Sequence, residues 1–276
     1  MSLKRLVLSG SMDRGIMWLA DKRIVIIGGT TGLGLSAAKA FVAEGAQVVV
    51  VGRNAEHGRL AESQLSGKGI ALVGDATDSV TAPAAIARCQ REFGGFDGLY
   101  HVAGGSGRRH GDGPLHELTL DGWNYTIALN LTSLMLSNQA AVQAFMAQKT
   151  GGTILNMGSV LGYSPSPAYF ATHAYAATKS AAIGFTKSIA AYYAAQNIRV
   201  NLLAPALVET PMAQRAAQDE TIIAFIKTKQ PLSGGRIGQP DDLDGAAVFF
   251  MSDASQFATG QVLSVDGGWS ISEGQL

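Results

Sequence analysis

From Lys22 onward, short β-branched apolar runs alternate with longer stretches of helical period. The runs cover residues 24–27, 48–51, 70–73, 98–102, 153–157, 199–203 and 261–265, which predicts seven strands. Between the first two, Leu35, Ala38, Phe41 and Val42 recur at helical spacing, and Gly45 stands where a left-handed cap would close that helix. Strands buried on both faces read as continuous apolar runs, and helices between them supply the crossovers. The pattern therefore predicts a parallel, doubly wound α/β sheet with helices on both faces. Right-handed crossovers would put a ligand crevice at the carboxyl ends of the strands.

No repeat or linker divides residues 18–276, which read as one domain, while residues 1–17 match no periodicity and are expected to be a poorly ordered extension. Two irregular stretches, 163–173 and 206–236, are candidates for lids or substrate loops.

Composition narrows the classes. Lys plus Arg is 21 and Asp plus Glu is 21 among 276 residues, so the basic excess that drives binding to nucleic acid is missing. The lone Cys89 excludes a disulfide scaffold and fits a reducing compartment. Neither a secretory signal nor an apolar run of about 20 residues is seen. A cytoplasmic protein without membrane or nucleic-acid partners is expected. The histidines, with His101, His110 and His173 among them, show no metal spacing, and no metal site is expected.

The first run leads directly into Gly28-Gly29-Thr30-Thr31-Gly32-Leu33-Gly34 and then a helix. Glycines let the backbone turn tightly and approach a pyrophosphate, which the helix N-terminus favours through free amides and its dipole. A nucleotide or dinucleotide site is implied. Leu35 stands where a P-loop would need Lys, so a nucleoside triphosphatase reading fails.

Tyr175 and Lys179 lie four apart in a helical segment, 174–195, and so emerge on one face. A phenol titrates near 10 and is a poor base at neutral pH. A cation about 5 Å away at an effective dielectric of about 20 contributes roughly 3 kcal/mol, about two pK units toward the phenolate. Tyr175 would then serve as an acid/base for a carbinol or carbonyl.

Several motifs occur in order around this pair: the glycine turn, Gly158-Ser159 at the end of the fifth run, Asn201-Leu202-Leu203-Ala204-Pro205, and Gly260 to Gly268. Together they resemble the short-chain dehydrogenase/reductase family over roughly residues 19–269. Ile27 stands where that family usually has Thr, and Ala206 replaces a Gly. The resemblance implies a Rossmann-type domain and a catalytic tetrad. Ser159 would polarise the substrate oxygen and Tyr175 exchange the proton. Lys179 would lower the Tyr175 pKa and hold the nicotinamide ribose, and Asn130 would position a water linking Lys179 to solvent. It further implies a cofactor site at Gly28, Thr30, Thr31, Gly32, Leu33, Gly34, Arg53, Asp75, Ala76, Ala103, Gly104, Tyr175, Lys179, Pro205, Val208 and Thr210, and a homotetramer or homodimer.

Ser159 and Tyr175 are 16 apart, about three more than is usual in the family, so the loop 161–173 is expected to bulge. Tyr163, Tyr169, Phe170 and His173 are expected to line the substrate pocket with Met212. His101-Val102 replaces the family's paired asparagines, so side-chain bonds bracing the sheet there must come from elsewhere or be absent. The second run continues into Gly52-Arg53-Asn54 with no carboxylate at the position that would select NAD. Arg53 offers a charged fork suited to a phosphate, so NADP is favoured, with NAD the alternative. Arg108, Arg109 and His110 read as a solvated loop, with attraction of an acidic substrate as the other reading. The function expected is hydride transfer between a nicotinamide and a small-molecule carbonyl or secondary alcohol. The alternative is a dinucleotide-binding sensor or scaffold without turnover.

Overall fold

In the computed structural model, which describes residues 17–274, the four apolar side chains of the first strand all find apolar partners. In β1 (Arg23–Ile27), Ile24 and Ile26 face one side of the sheet, whereas Val25 and Ile27 face the other. The remaining strands are β2 (Gln47–Gly52), β3 (Gly69–Val73), β4 (Gly98–His101), β5 (Gly152–Met157), β6 (Ile198–Pro205) and β7 (Val262–Val265). They form one parallel sheet in the order β3-β2-β1-β4-β5-β6-β7. Each predicted run falls on one strand, and the central β1 and β2, covered on both faces, give the most continuous apolar runs.

The helices are α1 (Gly32–Ala43), α2 (Ala55–Ser63), α3 (Thr81–Phe93), α4 (Leu120–Ile127), α5 (Ser133–Gln148), α6 (His173–Tyr193), α7 (Gln214–Ala217), α8 (Glu220–Lys229) and α9 (Asp244–Met251). One core packs Ala37, Phe41, Ala61, Ala247 and Met251 of α1, α2 and α9 against Ile24, Ile26, Val48 and Val50. The other packs Ile86, Cys89, Ala141, Phe145 and Ala190 of α3, α5 and α6 against Val25, Ile27, Val49 and Val51. Each Val or Ile so buried stabilises the fold by about 1.5–3 kcal/mol. Gly45 adopts φ +97°, the left-handed conformation expected of it after α1.

The stretch 206–236 is less irregular than its sequence suggests. Asp219 caps α8 by accepting from the Thr221 and Ile222 amides, and Ile222, Phe225 and Ile226 pack with Val160 and Trp269. Among the described residues no helix is long and apolar enough to cross a membrane. The predicted extension, apart from Met17, lies outside the described residues.

Candidate functional site

The carboxyl ends of β1, β2 and β4 are held together because their backbones share acceptors. The Val51 carbonyl accepts from the Gly28 and Gly29 amides, and the Ile27 carbonyl accepts from Val102 and Ala103 at 2.8 Å. A cleft of about 900 Å³ opens there, near the upper end for small-molecule sites. Every predicted cofactor and catalytic residue lines it except Gly34 and Asn130, which lie just beneath.

At Gly28 and Gly34 the turn has no room for a side chain. A Cβ at Gly34 would stand 2.1 Å from the Gly28 carbonyl oxygen, and one at Gly28 would stand 2.6 Å from the Ala103 nitrogen. Thr31 is the residue before α1, yet its side chain caps no amide and no acidic residue occupies the first turn. The helix therefore presents free N–H groups and the positive end of its dipole to the cleft. Thr210 closes over the turn, its methyl 3.5 Å from where a Gly32 Cβ would be. These features fit a pyrophosphate.

Beyond β2, Arg53 and Asp75 face each other at 4.0 Å across the cleft rim. Asp75 accepts from the Thr77 amide and hydroxyl, and that amide, then the hydroxyl and Arg53, hold its carboxyl below the usual range against the opposing effect of burial. Asn54 caps α2 through the Glu56 and His57 amides, which brings His57 beside Arg53 in the lining. Nothing in the sequence marked His57, since a lone helical histidine carries no spacing signal.

The other half of the cleft is made of side chains. Tyr175 and Lys179 both face it, with Lys179 Nζ 5.5 Å from the phenol ring centre and donating to the Met157 carbonyl at 2.9 Å. Burial pushes the Tyr175 phenol up to about 12, with Ser159 pulling it partly back, and pushes Lys179 down to about 8. The expected downward shift of Tyr175 is therefore not produced by the protein alone. The ammonium bonds the main chain rather than the hydroxyl, and desolvation outweighs its field.

Asn130 sits in a π turn, Ala128–Thr132, joining α4 to α5. Its Oδ1 accepts from the Gly105 amide, and its Nδ2 donates to the Gly105 and Thr126 carbonyls. One lone pair of Oδ1 is left for a further donor. It faces the space a Gly104 Cβ would fill, 2.7 Å from Oδ1 and 3.6 Å from Lys179 Nζ.

His101 supplies the bracing that its position appeared to lack. It is fully buried, and its Nδ1 lies 2.8 Å from the Ser137 hydroxyl of α5. Burial first, then Lys179, push its imidazole down to about 3, so it is neutral.

The pocket-wall expectation needs correction. Phe170 and Met212 line the cleft, but Tyr163, Tyr169 and His173 do not. The Tyr163 hydroxyl bonds Ser264, Tyr169 packs on Phe225 with ring centres 5.0 Å apart, and His173 opens α6 on its exposed side. Trp269, which the sequence did not single out, completes the wall against Phe170. Arg108 turns into the cleft, whereas His110 stacks on Tyr125 with ring centres 3.7 Å apart. Asp112, also missed, accepts from the Ala174 and Tyr175 amides at 3.0 Å and so caps α6 from 62 residues away.

Comparison with known proteins agrees with this architecture. Residues 28–270 match the family described as Enoyl-(Acyl carrier protein) reductase. A 2,5-dichloro-2,5-cyclohexadiene-1,4-diol dehydrogenase of Sphingobium indicum is 32% identical, covering 91% of this chain and 98% of that one. A gluconate 5-dehydrogenase of Gluconobacter oxydans is 34% identical over 92% of this chain and 96% of that one. A short-chain type dehydrogenase/reductase from Mycobacterium ulcerans superposes with a TM-score of 0.84 at 28% identity, covering 92% of each chain. The chain thus belongs to the short-chain dehydrogenase/reductase family, oxidoreductases of alcohol and carbonyl groups that use a nicotinamide cofactor.

Proposed function

We propose that this protein interconverts a small-molecule carbonyl compound and its secondary alcohol, with NADP(H) preferred and Tyr175 as the acid/base. One observation carries the reading: Ser159, Tyr175 and Lys179 line the same cleft as the uncapped N-terminus of α1. Gly28 to Gly34, Thr210, Ala103 and Gly104 would hold the dinucleotide phosphates and ring; Arg53 and His57 would meet a ribose phosphate; Pro205 and Val208 would flank the carboxamide. A bound nicotinamide dinucleotide supplies or accepts the hydride and, when oxidised, adds a positive charge beside the phenol.

The chain's own residues handle the proton. Ser159 donates a hydrogen bond to the substrate oxygen. Tyr175, protonated at neutral pH with its raised pKa, gives its proton to that oxygen during reduction and would recover one from solvent through Lys179 and a water held by the open lone pair of Asn130. Oxidation needs the phenolate, so it gains as pH rises. The chain would assemble as a homodimer or homotetramer, a reading supported by the open edge of β7 and the exposed Leu263.

The test is NADPH oxidation with a panel of ketones, comparing wild type with Tyr175→Phe and reading turnover and NADPH affinity separately. Loss of one proton donor is expected to lower kcat about 10²–10⁴-fold. Equal rates would remove Tyr175 from the mechanism, and no binding of either dinucleotide would remove the reading.

A further inference from the structure

The reacting end of the cleft carries uncompensated positive charge. Asp75 is the single carboxylate among the lining residues, and it follows β3, whereas Ser159 follows β5. Those strands stand four positions apart in the sheet, about 19 Å. Around Tyr175 the wall is apolar, with Leu161, Phe170, Met212 and Trp269, and its charged members are the buried Lys179 and two exposed arginines, Arg108 and Arg215.

The two arginines reach the cleft from different elements. Arg108 follows β4, and its Nη2 donates to the Tyr169 carbonyl at 3.1 Å, which fixes the guanidinium over the loop between Ser159 and Tyr175. Arg215 lies on α7, in the segment that follows Thr210. They are near enough that burial and then Arg215 both push Arg108 down, opposed by Asp112, whose oxygens already serve two α6 amides. Among the described residues neither arginine has an ion-pair partner. Two like charges at one mouth repel unless an anion lies between them, and a guanidinium fork suits a planar or tetrahedral oxyanion.

We propose that Arg108 and Arg215 form an oxyanion subsite, so that the substrate joins a carboxylate, sulfonate or phosphate ester to an apolar body whose carbonyl or carbinol reaches Tyr175. This rests on the function proposed above and names its substrate class. The charged mouth would also speed capture of such a substrate at low salt.

The experiment is calorimetric titration of the protein saturated with NADP⁺, a complex that cannot reduce a ketone. Four probes share one body: 4-acetylbenzoate, 4-acetylbenzenesulfonate, 4-acetylphenyl phosphate and, as the neutral control, methyl 4-acetylbenzoate. At least one anion is expected to bind about ten-fold or more tightly than the ester, and which one does so identifies the oxyanion. Arg108→Gln/Arg215→Gln should erase that ratio, and Arg108→Lys/Arg215→Lys should keep most of it. The proposal falls if the ester binds as tightly as all three anions, if no anion binds at millimolar concentration, or if the preference survives the Gln variant. It also falls if the Gln variant weakens NADP⁺ rather than the anion, which would assign the arginines to the cofactor. The preceding NADP⁺ titration tests the proposed function by itself, and the probes can be titrated into the cofactor-free protein if it fails.

Discussion

The two ends of the cleft are built by opposite means. At the proposed phosphate end the groups on offer are main-chain amides, and Gly28, Gly32 and Gly34 contribute by having no side chain. At the proposed reacting end the groups on offer are side chains brought from β5, the π turn and α6, and two titratable neighbours, Lys179 and His101, are buried at a cost. The first end is a local device spanning seven residues. The second exists only once the sheet has formed, and it stores destabilisation that the cores offset.

That contrast predicts where the molecule is brittle. Gly34→Ala forces a Cβ against the Gly28 carbonyl, and we expect NADPH affinity to fall more than about 100-fold, about 3 kcal/mol, in a fluorescence titration. Wild-type affinity in that variant would show that the turn is not the cradle. At the other end the effects appear as pH-dependent stability. His101 stays neutral down to about pH 3 in the fold but takes up a proton near 6.5 when unfolded, so stability is lost as pH falls below 6.5. Denaturant curves at pH 6.5 and 4 should show wild type losing about 3 kcal/mol more than His101→Asn, which keeps a donor and acceptor for the serines.

Lys179 has the same sign in a higher pH window. Its folded pKa of about 8 lies below the unfolded 10.5, so the burial penalty is complete below pH 8 and is relieved as pH rises. Wild type should gain about 2 kcal/mol relative to Lys179→Met between pH 8 and 10, on top of the losses that the raised pKa values of Cys89, Tyr100 and Tyr175 impose on both proteins. Lys179→Met should show no such rise; a parallel curve would mean the ammonium is solvated. The smallest effect belongs to the rim. Arg53→Ala is expected to reduce the preference for NADPH over NADH about ten-fold, and an unchanged ratio would show that another group selects the cofactor.

How much could be read beforehand follows the same division. The strands, the glycine turn and the Tyr175–Lys179 helix were legible because each is contiguous or periodic. Trp269, His57 and Arg215 were not, because their place in the cleft depends on where β7, α2 and α7 come to rest. Tyr163 and Tyr169 were misplaced for a related reason: aromatic residues in a bulged loop can turn inward or outward, and here Ser264 and Phe225 offered better partners. His101 broke the family pattern in sequence yet kept its task, since an imidazole can bridge to Ser137 as a carboxamide could. The pK argument for Tyr175 counted the charge of Lys179 but left out burial, which pushes the phenol the other way.

Asp112 ties the loop bearing Arg108 to the first turn of the helix bearing Tyr175. Whatever redesigns that loop for a new substrate also shifts the seat of the proposed proton donor, Tyr175. On the proposed mechanism, selectivity and turnover are therefore mechanically yoked, and changing the former while sparing the latter would require leaving that carboxylate in place.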